Sequence, residues 1–159
     1  MIYDDMNWHR EGAEKLYRTE RRKVDQLSSQ QEFEVNTRAC NHMALFLMWV
    51  IDNDLLSTAV DVNFTQKVAD GDLSPQKYII QQLNGQFSSE IFNPDLIPFM
   101  DYYYGDLFFD DYVDVCINEN RPLYGFVSDE MDCSRLSAKI SEAFTDFYSS
   151  EENVVEEQI

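Results

Sequence analysis

The residues whose types and spacing come nearest to a reactive set lie at the N-terminus. Tyr3-Asp4-Asp5-Met6-Asn7-Trp8-His9 puts two carboxylates, an indole and an imidazole within seven residues. A carboxylate that orients an imidazole is the beginning of a general base or of a metal site. The other histidine, His42, heads an apolar helical run. With Asp4 or Asp5 it would complete a two-histidine, one-carboxylate set of the kind a metal-dependent hydrolase uses, if the fold brought the groups together. No HExxH or comparable ligand spacing links them. The alternative places Trp8 in the core, uses Asp4 or Asp5 to cap a turn, and makes His42 a hydrogen-bonded core or helix-start residue. That alternative is preferred, so no catalytic residue, metal ligand or cofactor is expected.

Other chemistry is thinner still. There is no GxSxG, and the five glycines stand apart at 12, 71, 85, 105 and 125, so no phosphate-cradling loop forms. Cys40, Cys116 and Cys133 cannot all pair within one chain and share no CxxC spacing. Reduced, mostly buried thiols in a cytoplasmic protein are expected. The longest apolar stretch, Met43 to Ile51, is nine residues, about half of what spans a bilayer.

The charge points elsewhere. The chain of 159 residues carries 12 basic and 30 acidic side chains, a net charge of −18, yet 44% of it is hydrophobic and can build a core. Phosphate backbones and anionic membranes are repelled, and a basic protein partner is favoured. Residues 1–42 hold seven basic and eight acidic side chains (7 − 8 = −1), leaving five and 22 (5 − 22 = −17) for residues 43–159. No Lys or Arg occurs between Lys77 and Arg121.

The centre of that span, Phe99 to Val115, reads FMDYYYGDLFFDDYVDV. On a helix, Asp106, Asp110 and Asp114 stand at i, i+4 and i+8, with Asp111 beside them. Like charges at this spacing cost about 0.2–0.5 kcal/mol per pair, which a partner's Lys and Arg would relieve. Tyrosine rings supply contact area at low entropic cost. Asp101, Tyr103, Asp106, Asp110, Asp111, Tyr112 and Asp114 are therefore the expected partner-binding residues. The competing reading keeps Tyr103, Phe108 and Tyr112 in the core and leaves the aspartates as an outer face.

Helices must position these groups. Apolar spacing predicts helices over Ala13–Leu27, Gln30–Ile51, Ser57–Ala69, from Ser74-Pro75 to Gly85, from Asn93-Pro94 through Met100 and on toward Val115, and over Asp132–Tyr148. ALFLMWVI, apolar nearly all round, is the expected buried centre. Only Arg121–Val127 reads as extended. The expectation is an all-α or mainly α fold. It is one compact multi-helix domain over residues 1–150, with at most a short extended segment near 121–127 and a fraying acidic tail at 151–159.

YDDxxWH, the helix NHMALFLMWVIDNDLLS, and the acidic tyrosine-rich segment from Tyr102-Tyr103-Tyr104 to Tyr112 together resemble a family of small, acidic, uncharacterised bacterial proteins. Between Arg10 and Arg38 the chain departs from that pattern with a longer charged helical segment. Size and acidity are similar to those of immunity proteins, which neutralise bacterial toxins by binding them. The expected function is non-enzymatic: an immunity- or antitoxin-like protein that binds a basic toxin domain, such as a nuclease. The alternatives are a housekeeping or regulatory interaction module and a metal-dependent hydrolase using His9, His42 and Asp5.

Overall fold

At Asp5 the chain passes from strand to helix. The residue keeps an extended backbone (φ −142°, ψ 127°), and its carboxylate accepts the Asn7 N–H at 2.8 Å, capping the helix that follows. A computed structural model describes residues 1–21, 25–118, 122–125 and 134–157 of the chain. Strand β1 (Ile2–Asp5) pairs antiparallel with β2 (Gln86–Ser88), Asp4 opposite Phe87 and Asp5 opposite Gln86. Eight α-helices surround this small sheet among the described residues: α1 (Met6–Glu20), α2 (Ser29–Ala39), α3 (Asn41–Asp52), α4 (Val62–Ala69), α5 (Pro75–Gln82), α6 (Ile97–Tyr103), α7 (Asp106–Asn118) and α8 (Ser134–Glu157). The fold is mainly α.

Several boundaries differ from expectation, each for a local reason. The sheet was unexpected, because strands of four and three residues are too short to display an alternating pattern. The run expected as one helix over Gln30–Ile51 is two helices, broken at Cys40 (φ −104°, ψ 11°). Its halves have different burial demands. Polar α2 opens with a Ser28/Gln31 capping box and lies against α1, whereas α3 is buried on nearly every side. Ser74 and Pro75 start α5 as expected, with Ser74 Oγ accepting the Lys77 N–H at 3.1 Å. α4 begins at Val62, capped by Asp61, rather than at Ser57, and α8 runs on past Tyr148 to Glu157.

Within the segment expected to be extended, Pro122 to Gly125 instead form a turn, closed by Gly125 N–H donating to Pro122 O at 2.9 Å. Pro and Gly at its ends are turn chemistry, not strand chemistry; positions 121, 126 and 127 lie outside the described residues.

Charge pairing accounts for the balanced N-terminal head. Arg10 bridges Glu14 on its own helix and Glu32 on α2, and Arg38 of α2 reaches back to Glu20 at 2.9 Å. Aromatic rings fill the core around α3. Phe46 meets Tyr104 at 4.8 Å and Phe108 at 5.1 Å between centroids, edge to face. Trp49 meets Phe144 of α8 at 5.4 Å and donates its indole N–H to Ser141 Oγ at 3.0 Å. Each such buried ring contributes about 1.5–3 kcal/mol of hydrophobic stabilisation. No helix among the described residues is long and apolar enough to cross a membrane.

Candidate functional site

The turn from α5 into β2 sets the entrance to α1. Asn84 and Gly85 both take positive φ (54° and 73°), and Gly85 O accepts the Met6 N–H at 2.8 Å. A Cβ on Gly85 would also lie 3.3 Å from Met6 Cβ, so glycine suits this position on both counts. This anchoring fixes where β1 ends and α1 begins. It buries Asp4 and places His9 in the first turn of α1, close to His42 at the head of α3.

Asp4 is the hub. Its Oδ1 accepts the Asp5 N–H and His9 Nε2, each at 2.8 Å. Its Oδ2 accepts His42 Nε2 and the Tyr104 hydroxyl, also at 2.8 Å. The two imidazole centroids are 4.2 Å apart at 67°. His9 Nδ1 in turn pairs with the Tyr124 hydroxyl at 2.8 Å, and Phe109 stacks over the His9 ring at 6.2 Å. Gly12 admits Tyr124: a Cβ there would come within 2.9 Å of the tyrosine ring.

Electrostatics follow from burial and pairing. Burial by itself pushes the Asp4 carboxyl up, but the hydrogen bonds from His42 and His9 outweigh it and hold the group well below the usual carboxylate range. Burial pushes the His42 imidazole down, against the pull of Asp4. Burial and then the Asp4 charge drive the Tyr104 phenol well above its ordinary value. A carboxylate only accepts, so both histidines present Nε2–H to Asp4. The neutral His42 ring then has a bare Nδ1, a buried nitrogen with no hydrogen-bond partner among the described residues.

The structure therefore brings His9 and His42 together, with Asp4 rather than Asp5 as their carboxylate. Asp5 instead caps α1 and accepts Gln86 Nε2 at 2.8 Å. Alternation along β1 explains the choice, because adjacent side chains leave a strand on opposite faces. Trp8, expected in the core, is 63% exposed, since the same turn of α1 faces His9 inward. One carboxylate O and two imidazole N atoms, all within 4.8 Å of one another, make Asp4, His9 and His42 a group among the described residues whose donors could hold a metal.

The expected partner-binding residues divide. Asp101, Asp106, Asp110 and Asp114 are exposed along α6 and α7. Asp111 is half-buried and accepts the Tyr103 hydroxyl at 2.7 Å, and Lys139 of α8 reaches Asp114 at 3.2 Å. Tyr103 and Tyr112 are core residues at 2% and 1% exposure, which removes them as direct surface contacts. Tyr103 stacks on Phe99 at 4.9 Å, and the Tyr112 hydroxyl meets Asn41 Nδ2 at 3.2 Å.

Residues 2–126 match a family described as a domain of unknown function, DUF7832. The chain belongs to that family. No curated protein and no solved structure matches it. The DUF7832 match takes in every member of the Asp4 cluster and both acidic helices, and it stops before α8.

Sequence reasoning missed Tyr104 and Tyr124 as partners of the cluster. Tyr104 sits in a run of three tyrosines with no mark of which one turns inward. Tyr124 arrives from a turn whose only signal is the Pro and Gly around it.

Proposed function

We propose that this protein is a non-enzymatic binding protein that docks a basic protein partner on the exposed carboxylates of α6 and α7, in the manner of a cytoplasmic immunity protein neutralising a toxin domain. The observation that carries the reading is the row of Asp106, Asp110 and Asp114, all exposed at successive turns of α7, with Asp101 exposed on α6. These residues lie in the span from 78 to 120 that contains no Lys or Arg. A row of this kind, with only Lys139 near its Asp114 end, raises the local potential, speeds encounter with a cationic surface and penalises wrong partners. A nuclease domain is a fitting partner, because the groove that holds its phosphate substrate is itself basic. The burial of His42 and the four donors already on Asp4 support a structural role for that cluster rather than a catalytic one.

The test uses the full chain as bait in lysate of its source cell, with wild type compared with Asp106→Lys/Asp110→Lys/Asp114→Lys. Capture of a basic toxin domain is expected, with affinity falling at least 10-fold in the variant and association slowing as salt rises. A folded triple variant that holds the same partner as tightly as wild type removes this face as the site.

A further inference from the structure

We infer that Asp4, His9 and His42 form a binding site for one divalent transition-metal ion, held by the two imidazole Nε2 atoms and the Asp4 carboxylate. The donor set decides the class of ion. Two imidazoles with one carboxylate suit borderline ions such as zinc, cobalt or iron(II), whereas magnesium and calcium demand mostly oxygen.

The spacing is near that of such a site. Metal–ligand bonds of about 2.0–2.2 Å place neighbouring ligand atoms about 3 Å apart or slightly more. Each Nε2 already stands 2.8 Å from an Asp4 oxygen, and all three ligand atoms lie within 4.8 Å of one another. To admit the ion, the two hydrogen-bonded pairs must open by a few tenths of an ångström, and a pair near the 4.8 Å limit must draw together by about as much or more.

The surroundings hold two of the three ligands, Asp4 and His9, from behind, as working metal sites require. The Asp5 N–H and the Tyr104 hydroxyl fix the carboxylate independently of either histidine. The Tyr124 hydroxyl fixes the His9 ring through Nδ1. Coordination at Nε2 moves each ring proton to Nδ1, and both rings can accept it. At His9 the Tyr124 hydroxyl reverses from donor to acceptor. At His42 the shifted proton lands on the buried Nδ1, which has no partner among the described residues, so coordination by this ring carries a desolvation cost that the metal bond must outweigh. An ion here would clamp β1, α1 and α3 to one another. The inference is independent of the acidic face of α6 and α7, which lies outside the ligand set.

The experiment titrates the chelator-stripped full chain with Co²⁺, then with Zn²⁺ as competitor. One Co²⁺ per chain is expected, with visible ligand-field absorption that Zn²⁺ abolishes and excess Mg²⁺ does not. His9→Gln, at the more exposed of the two imidazoles, is expected to weaken binding at least 100-fold. Asp106→Asn/Asp110→Asn/Asp114→Asn leaves it unchanged. On the wild-type chain, Zn²⁺ is expected to shift the imidazole ¹⁵N resonances of both histidines, a readout that does not depend on any variant folding. Unshifted histidine resonances overturn the inference and leave a plain hydrogen-bonded cluster. Undiminished affinity in a folded His9→Gln chain, or affinity lost only in the α7 variant, overturns it equally.

Discussion

Replacing Asp4 by Asn keeps the shape of the side chain and tests what the carboxylate contributes to the fold. The wild-type group accepts four hydrogen bonds at 2.8 Å, two on each oxygen. An amide must turn its NH₂ toward one of those two pairs of donors. Facing His42 and Tyr104, it would force the His42 proton onto Nδ1, where a buried N–H would have no partner. The cheaper orientation faces His9 and the Asp5 N–H. There His9 can shift its proton to Nδ1 and donate it to Tyr124, but the Asp5 N–H is stranded. That stranded donor costs about 1–3 kcal/mol. Hydrogen bonds to a neutral acceptor are about half as strong as those to a charged one, which adds roughly 0.5–1 kcal/mol for each survivor. Relief of the buried charge returns part of the sum, so a net loss of about 2–4 kcal/mol is expected. Against a typical total of about 5–15 kcal/mol this is a large fraction. Urea unfolding at neutral pH, in the presence of a chelator so that no metal contributes, measures it. Trp49, 3% exposed and held by Ser141, reports through its fluorescence, while Trp8, 63% exposed, changes little. A loss below about 1 kcal/mol would refute the assignment of Asp4 as a net stabilising hub.

Burial pushes the Cys40 thiol up to about 12, so in the native chain at mildly alkaline pH Cys40 should resist a thiol reagent and react once denaturant is added; peptide mapping of the label checks this. Burial and the hydrogen bond to Asp111 raise the Tyr103 phenol above its ordinary value. The unfolded chain ionises this phenol near pH 10 while the folded chain keeps its proton. Its stabilising contribution is therefore full below about pH 10 and lost as pH rises toward the folded value. Unfolding midpoints should fall over that range in wild type and less in Tyr103→Phe. Ser74→Ala removes the cap of α5 and should cost about 1 kcal/mol in the same unfolding assay.

The helical class and the buried centre were legible in the sequence because α3 is apolar nearly all round and because Ser74-Pro75 is a strong start signal. The break at Cys40 was not, since helical periodicity carries across a single turn residue without losing phase. The short sheet escaped for want of length. At the cluster, the residue types were legible but their meeting was not, because His9 and His42 converge through the Met6–Gly85 contact and the packing of α1 near α3, which no local pattern encodes. The choice between Asp4 and Asp5 turned on the phase of a strand that the sequence did not announce. Asp106, Asp110 and Asp114 of α7 fall on the outer face as their spacing required, whereas Tyr103 of α6 and Tyr112 of α7 face inward.

The family match ends at residue 126, but the folded unit does not. Trp49 and Phe99 each lay a ring against Phe144, and Leu136 and Ile140 are buried with the rest of the core. A chain trimmed to the matched region would present these aromatic side chains to water as a sticky face, and it would be prone to self-association. The matched region and the packed unit are therefore different lengths of the same chain. In this chain α8 is what covers that face.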